Sequence, residues 1–252
     1  MSVPSPSRER IAALRAEVRA IESAGAGEGR ACLPFGIDAV DDQLAGGGLA
    51  AAALHEIAGA KLGLGDDAAA TLFLAGIAAR LQGSVLWAMS RRDLFAPGLA
   101  QAGLTPDRLI YAECRRDEEV LAVMEEGLRH GGLAAVVGEI GRVTMASTRR
   151  LQLAAEEGGT MALMLKRWRK TGEDPLGIPS AAFTRWHIAC APSANLPVAG
   201  VGRPRWRIEL ARQRGGEPFN LIVEASDATG RLALPAEPCN RPPAADRERR
   251  AA

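Results

Sequence analysis

Cysteine is scarce in this chain and never paired in spacing. Cys32, Cys114, Cys190 and Cys239 stand far apart with no CxxC, so isolated, reduced thiols are expected and neither a zinc site nor a disulfide framework is. Histidine is scarcer still: His55, His130 and His187 form no metal-binding spacing and no nucleophile–base set. Neither sign of charge dominates, since 31 Lys and Arg face 30 Asp and Glu. That balance argues against a protein that coats nucleic acid over its whole surface, while leaving room for local patches. No apolar run approaches the roughly 20 residues a membrane-spanning helix needs, and the opening MSVPSPSRER lacks the apolar core of a signal peptide. A cytoplasmic protein without a membrane partner is expected. What the chain has is a hydrophobic content of 47% over 252 residues, enough for one sizeable core.

The most informative stretch runs from Leu33 to Asp67. It reads as a loop with Asp38, a short helix, a turn at Gly46–Gly48, and a strand ending His55-Glu56-Ile57-Ala58-Gly59. A loop and then a helix follow, and strand, glycine-bearing loop, helix is the layout of a phosphate-binding loop. The chemistry of such a loop is missing. Backbone N–H groups, a Lys for the terminal phosphates and a Ser or Thr for magnesium are required. Here the candidate loop contains Gly59, Lys61, Gly63 and Gly65, and Asp66-Asp67 stand where Lys-Thr would be expected. Carboxylates at a helix N-terminus cap the free N–H groups themselves and repel phosphates. Lys61 sits too early in the loop and reads as a solvated residue. The next strand ends Ser90-Arg91-Arg92, which carries no base for activating water, and Asp93 reads as an acid in the first turn of a helix. Glu139 falls near the place of a magnesium-holding acid, but without loop ligands it reads as a structural or polar-network residue. No catalytic residue, cofactor or metal is therefore expected, because phosphoryl transfer needs several such parts acting together. The adjacent Glu125 and Glu126 point about 100° apart on a helix and are not a paired-carboxylate site.

The rest of the chain alternates. Ser7–Ser23 is an amphipathic helix with Ile11, Leu14, Val18 and Ile21 on one face, either folded back on its own domain or docking a partner. A Gly-rich link to Arg30 follows. Helices are expected over Asp66–Gln82, Arg91–Gly103 (interrupted near Pro97-Gly98), Asp117–His130 and Ser147–Glu157. Strands are expected over Ser84–Met89, Arg108–Glu113, Leu133–Ile140 and Met161–Leu165. Arg185–Ala189, Arg205–Ala211, Leu221–Ala225 and Arg231–Leu234 read as short strands joined by Gly/Pro turns. The pattern predicts an α/β fold: a mainly parallel sheet flanked by helices on both faces, with antiparallel edge strands at the C-terminal side. The domain plan is residues 1–30 as helix and link, 31–235 as core, and 236–252 as a disordered Pro/Arg-rich tail.

Phe35-Gly36-Ile37-Asp38, Leu44–Leu49 and His55-Glu56-Ile57 resemble the opening of the RecA recombinase core, a P-loop NTPase-type fold. The degenerate loop, with Met124–Arg129, Thr148–Glu156 and Thr184-Arg185-Trp186, resembles the ImuA family, the RecA-like proteins of bacterial SOS-inducible mutagenesis cassettes. The likeness runs from about Leu33 to Leu234. It implies a non-catalytic adaptor in DNA-damage-induced translesion synthesis, working with ImuB and an error-prone C-family DNA polymerase. Two other readings stand beside it: a DNA-dependent ATPase with an atypical loop, and a regulator that binds RecA filaments.

One half of the chain is basic. From Lys166 to Arg214 ten Lys and Arg face three acids, interleaved with Trp168, Trp186 and Trp206. Lys166, Arg167, Trp168, Arg169, Lys170, Arg185, Arg212 and Arg214 are the candidate contacts to single-stranded DNA or a partner. The loop 167–180 lies where RecA-like recombinases carry a DNA-contacting loop. The competing reading puts the tryptophans in the core, with Arg185, Arg205 and Arg207 alternating on strands.

Overall fold

A computed structural model describes Arg10, residues 30–193, Gly200 and residues 202–235. The N-terminal amphipathic helix, its link and the C-terminal tail fall outside these residues, apart from Arg10 and Arg30. Among the described residues an eight-stranded sheet runs in the order β10-β9-β8-β3-β7-β6-β4-β5. Its members are β3 (Leu54–Gly59), β4 (Val85–Met89), β5 (Leu109–Glu113), β6 (Ala135–Ile140), β7 (Met161–Lys166), β8 (Thr184–Ala191), β9 (Arg205–Gln213) and β10 (Phe219–Glu224). Neighbouring strands from β8 to β5 pair parallel, and β9 and β10 join antiparallel. A two-stranded ribbon, β1 (Cys32–Leu33) with β2 (Leu49–Ala50), lies outside this sheet.

Hydrophobicity explains the order. β3, β6 and β7 are buried at all six positions, as central parallel strands covered on both faces must be. β9 alternates, with Trp206, Ile208 and Leu210 inward and Arg207 and Glu209 outward, the mark of a strand with one wet face. On one face α2 (Leu64–Ala79) and α3 (Ala96–Gln101) pack with Trp87, Trp186 and Trp206. On the other, α4 (Asp117–His130) and α5 (Met145–Gly158) pack over Leu54, Val136 and Met164. α4 opens with three acids and ends at Gly131 with φ 68°; α5 is capped by Thr144, which accepts from the Ser147 N–H.

Several boundaries differ from the sequence reading. Asp38 opens the short helix α1 (Asp38–Asp41) instead of lying in a loop. α3 occupies only Ala96–Gln101, because Pro97 sits in its first turn, where a missing N–H costs nothing. Asp93 therefore precedes the helix and is not part of its first turn. Residues 231–234 do not form a strand; one bridge, Glu224 to Ala233, is all that joins them to β10.

The topology creates a crevice. The chain leaves β4 towards α3 on one face and leaves β6 towards α5 on the other, yet β4 and β6 are neighbours. Ligands of open α/β sheets bind at such a point, outside the carboxyl ends of the strands.

Candidate functional site

Six parallel strands present their carboxyl ends on this side of the sheet. At β3, Gly59 packs so closely on the start of α2 that a Cβ there would lie 2.9 Å from the Asp66 carbonyl carbon. The loop then runs through exposed Lys61, Leu62 and Gly63 into Leu64, which is 91% exposed. The two aspartates do not act as helix caps, contrary to the sequence reading: the N-terminus of α2 has no side-chain cap. Asp66 instead accepts the Cys190 N–H from β8 at 2.8 Å. Burial pushes the Asp67 carboxyl up, against the pull of Arg167 and Arg91.

At β6, Glu139 is 3% exposed and both its oxygens are engaged. Oε1 accepts the Trp87 indole N–H at 2.8 Å, and Oε2 accepts Arg167 Nε and Nη2 at 2.9 and 2.7 Å. Arg167 Nη2 also lies 3.9 Å from Asp93. A guanidinium thus supplies internally the positive charge that Glu139 would otherwise take from a cation, and the polar-network reading of Glu139 agrees with this geometry.

The basic candidates divide. Lys166 and Arg185 turn inward, which corrects their reading as surface contacts. Lys166 is 1% exposed and its Nζ has no hydrogen-bond partner; burial pushes its pKa down. Arg185 donates from Nε to Oε2 of the fully buried Glu56 at 2.7 Å and from Nη2 to the Ile178 carbonyl. Ser180 Oγ completes the cluster on Glu56 Oε1. Trp168 is half-buried, its indole N–H donating to the Gly59 carbonyl at 2.7 Å. Arg212 donates to the Ser180 carbonyl and Arg214 stacks on Phe183, so both brace the far limb of the loop after β7. Arg169 and Lys170 remain exposed, with Arg169 3.7 Å from Asp117 and Lys170 2.8 Å from Glu173.

Sequence reasoning missed Glu56, Asp117 and the contribution of Trp87. Glu56 left a signal, since a carboxylate inside the all-buried run LHEIAG needs an internal partner. Nothing local named that partner, which lies 129 residues away. Arg91, read only as the absence of a base, proves to line a pocket of about 230 Å³ with Ser90, Asp117, Glu139, Arg167 and Arg169. No cluster of metal-ligating side chains occurs among the described residues, and no helix among them is long and apolar enough to cross a membrane.

Comparison with known proteins adds two findings. Protein ImuA of two strains of Caulobacter vibrioides is 40% identical over 205 residues, covering 78% of this chain and 84% of the relative. The crystal structure of the RadB recombinase superposes with a TM-score of 0.55 at 16% identity, covering 80% of this chain and 98% of that one; the fold is RecA-like. No protein-family model matches the chain.

Proposed function

Because the chain belongs to the ImuA family, we propose that it is a non-catalytic RecA-like accessory protein of DNA-damage-induced mutagenic translesion synthesis. In this reading it is an adaptor that holds ImuB and an error-prone C-family DNA polymerase together. The observation that supports the loss of catalysis is the internal pairing of the crevice's acid. Glu139 is spent on Arg167 and Trp87, and the phosphate-loop position offers Asp66 and Asp67 in place of Lys and a hydroxyl. An incoming triphosphate would meet carboxylates where an ATPase presents cations, and a metal would have to displace a guanidinium. Neither is favourable.

The test combines a melt with turnover. A ligand that binds only the folded state at a hundredfold excess over its dissociation constant stabilises it by about 2.7 kcal/mol. The expected result is no rise in melting temperature with millimolar Mg-ATP and no hydrolysis with single-stranded DNA, together with co-purification of ImuB and the polymerase. DNA-stimulated turnover would replace the adaptor with an ATPase. Failure to co-purify either partner would sink the adaptor itself.

A further inference from the structure

We infer that the cleft over the carboxyl ends of β4, β6 and β7 is a docking groove for a short acidic peptide segment of a protein partner, an acidic residue followed by an aliphatic one. The inference deepens the adaptor reading and rests on it. Two pockets, of about 230 and 440 Å³, share Gly141, Arg167 and Arg169 as walls. Arg169 lies across Gly141 so closely that a Cβ there would come 3.1 Å from the Arg169 side chain, and it separates the two.

Each carboxylate lining this cleft already holds at least one internal partner. Glu139 serves Trp87 and Arg167. Asp117 Oδ2 accepts the backbone N–H groups of Gly141 and Arg142. Glu173 takes Lys170, and Asp174 takes His187 and the Leu176 N–H. The arginines are not so committed. Exposed Arg91 makes no hydrogen bond or ion pair among the described residues, and Arg142 and Arg169 reach their acids only at 3.7 Å. Planar guanidinium groups with free donors suit carboxylates bidentately. The second pocket is different: Pro175 and the 43% exposed Ile178 give it an apolar wall, which suits an aliphatic side chain.

The same cleft is ill-suited to single-stranded nucleic acid. Its walls hold four cations and four acids, so recognition here rests on individual guanidinium–carboxylate pairs and not on the net field that a phosphate backbone relies on. Bases need aromatic platforms. Trp87, Trp186 and Trp206 are buried, and the Trp168 indole is tied to Gly59.

The experiment is fluorescence anisotropy on the whole protein. The probe is a fluorescein-labelled peptide of alternating Asp-Glu and Leu-Val pairs; its Asn-Gln counterpart and a labelled oligothymidylate serve as comparisons. The acidic peptide is expected to bind about tenfold more tightly than the amide peptide, and about tenfold more tightly than to Arg91→Gln/Arg169→Gln protein, a difference of about 1.4 kcal/mol. Arg207→Gln, on the outer face of β9, should leave binding unchanged. Arg142→Gln provides a second groove variant, and a melt checks that each variant is folded. No peptide binding, or equal binding by the double variant, overturns the proposal. Oligothymidylate that depends on the same arginines while the peptide does not overturns it in favour of nucleic acid. Protein that co-purifies with ImuB yet shows no groove-dependent peptide binding refutes the groove alone, whereas failed co-purification refutes the adaptor.

Discussion

Arg185 distinguishes a surface contact from a structural charge, and replacing it with alanine measures the difference. Its Nε lies 2.7 Å from a Glu56 oxygen that no solvent reaches. Removing the guanidinium leaves a buried carboxylate with Ser180 Oγ as its hydrogen-bonding side chain, and also frees the Ile178 carbonyl that anchors the loop. Breaking a buried pair from one side costs about 3–5 kcal/mol. For a core of this size each kcal/mol shifts the melting midpoint by about 2–4 °C, so R185A should melt about 6–20 °C lower. Replacing Glu56 as well, in E56Q/R185A, should recover part of that loss, because the buried carboxylate leaves with its partner; buried Lys166, which Glu56 also attracts, stays behind and limits the recovery. Circular-dichroism melts of the wild type, both single variants and the double variant form the cycle. Binding to partner or DNA is then measured well below every midpoint. An R185A protein melting within about 2 °C of wild type but binding poorly would refute the structural assignment and return Arg185 to the contact surface.

Three further outcomes follow from the packing. His55 is fully buried between Thr184 Oγ1 and the Ala50 carbonyl, and burial pushes its pKa from 6.5 down to about 4. The unfolded chain therefore binds the extra proton between these values, and stability present above pH 6.5 is lost as pH falls towards 4, by about 3 kcal/mol at 1.36 kcal/mol per unit; denaturant midpoints across that window should slope accordingly, and His55→Gln should flatten the slope. Lys166→Met removes a buried ammonium with no hydrogen-bond partner, whose burial outweighs the attraction of Glu56, and should raise the melting temperature by a few degrees, about 1 kcal/mol or more; a lower midpoint would show that the attraction to Glu56 outweighs the burial. Gly138→Ala brings a Cβ to 2.1 Å from the Met124 sulfur and should cost about 1–3 kcal/mol by overpacking β6 against α4, read as a lower midpoint with an unchanged circular-dichroism spectrum.

Much of the site was legible one residue at a time. The phosphate-loop layout, the missing Lys-Thr pair and the acid at Glu139 are local facts of spacing, and the structure puts each at a strand end facing one crevice. Which of two arginines is outward is not a local fact. Arg207 follows the period-two alternation of β9 and faces solvent. Arg185 occupies a strand of the same character but is buried, because β8 pairs with β3 and places Glu56 opposite it. Asp66 and Asp67 show the same division. Their presence in the first turn of a helix was readable, but Asp66 spends its oxygen on a backbone N–H of β8, a strand 124 residues further on.

Periodicity and composition alone determined the α/β class, the central buried strands, the missing Lys-Thr pair of the phosphate-loop layout and the basic character of the second half, because each depends on residue type and short spacing. Tertiary structure decided which charges are surface and which are internal counter-ions. It also decided that Glu139 is held by Arg167 and Trp87 while exposed Arg91 makes no hydrogen bond or ion pair among the described residues. Ion pairing acts over a few ångströms of space, and the strands that bring Glu139 to Arg167 and Glu56 to Arg185 are neighbours in the sheet but 28 and 129 residues apart in the chain.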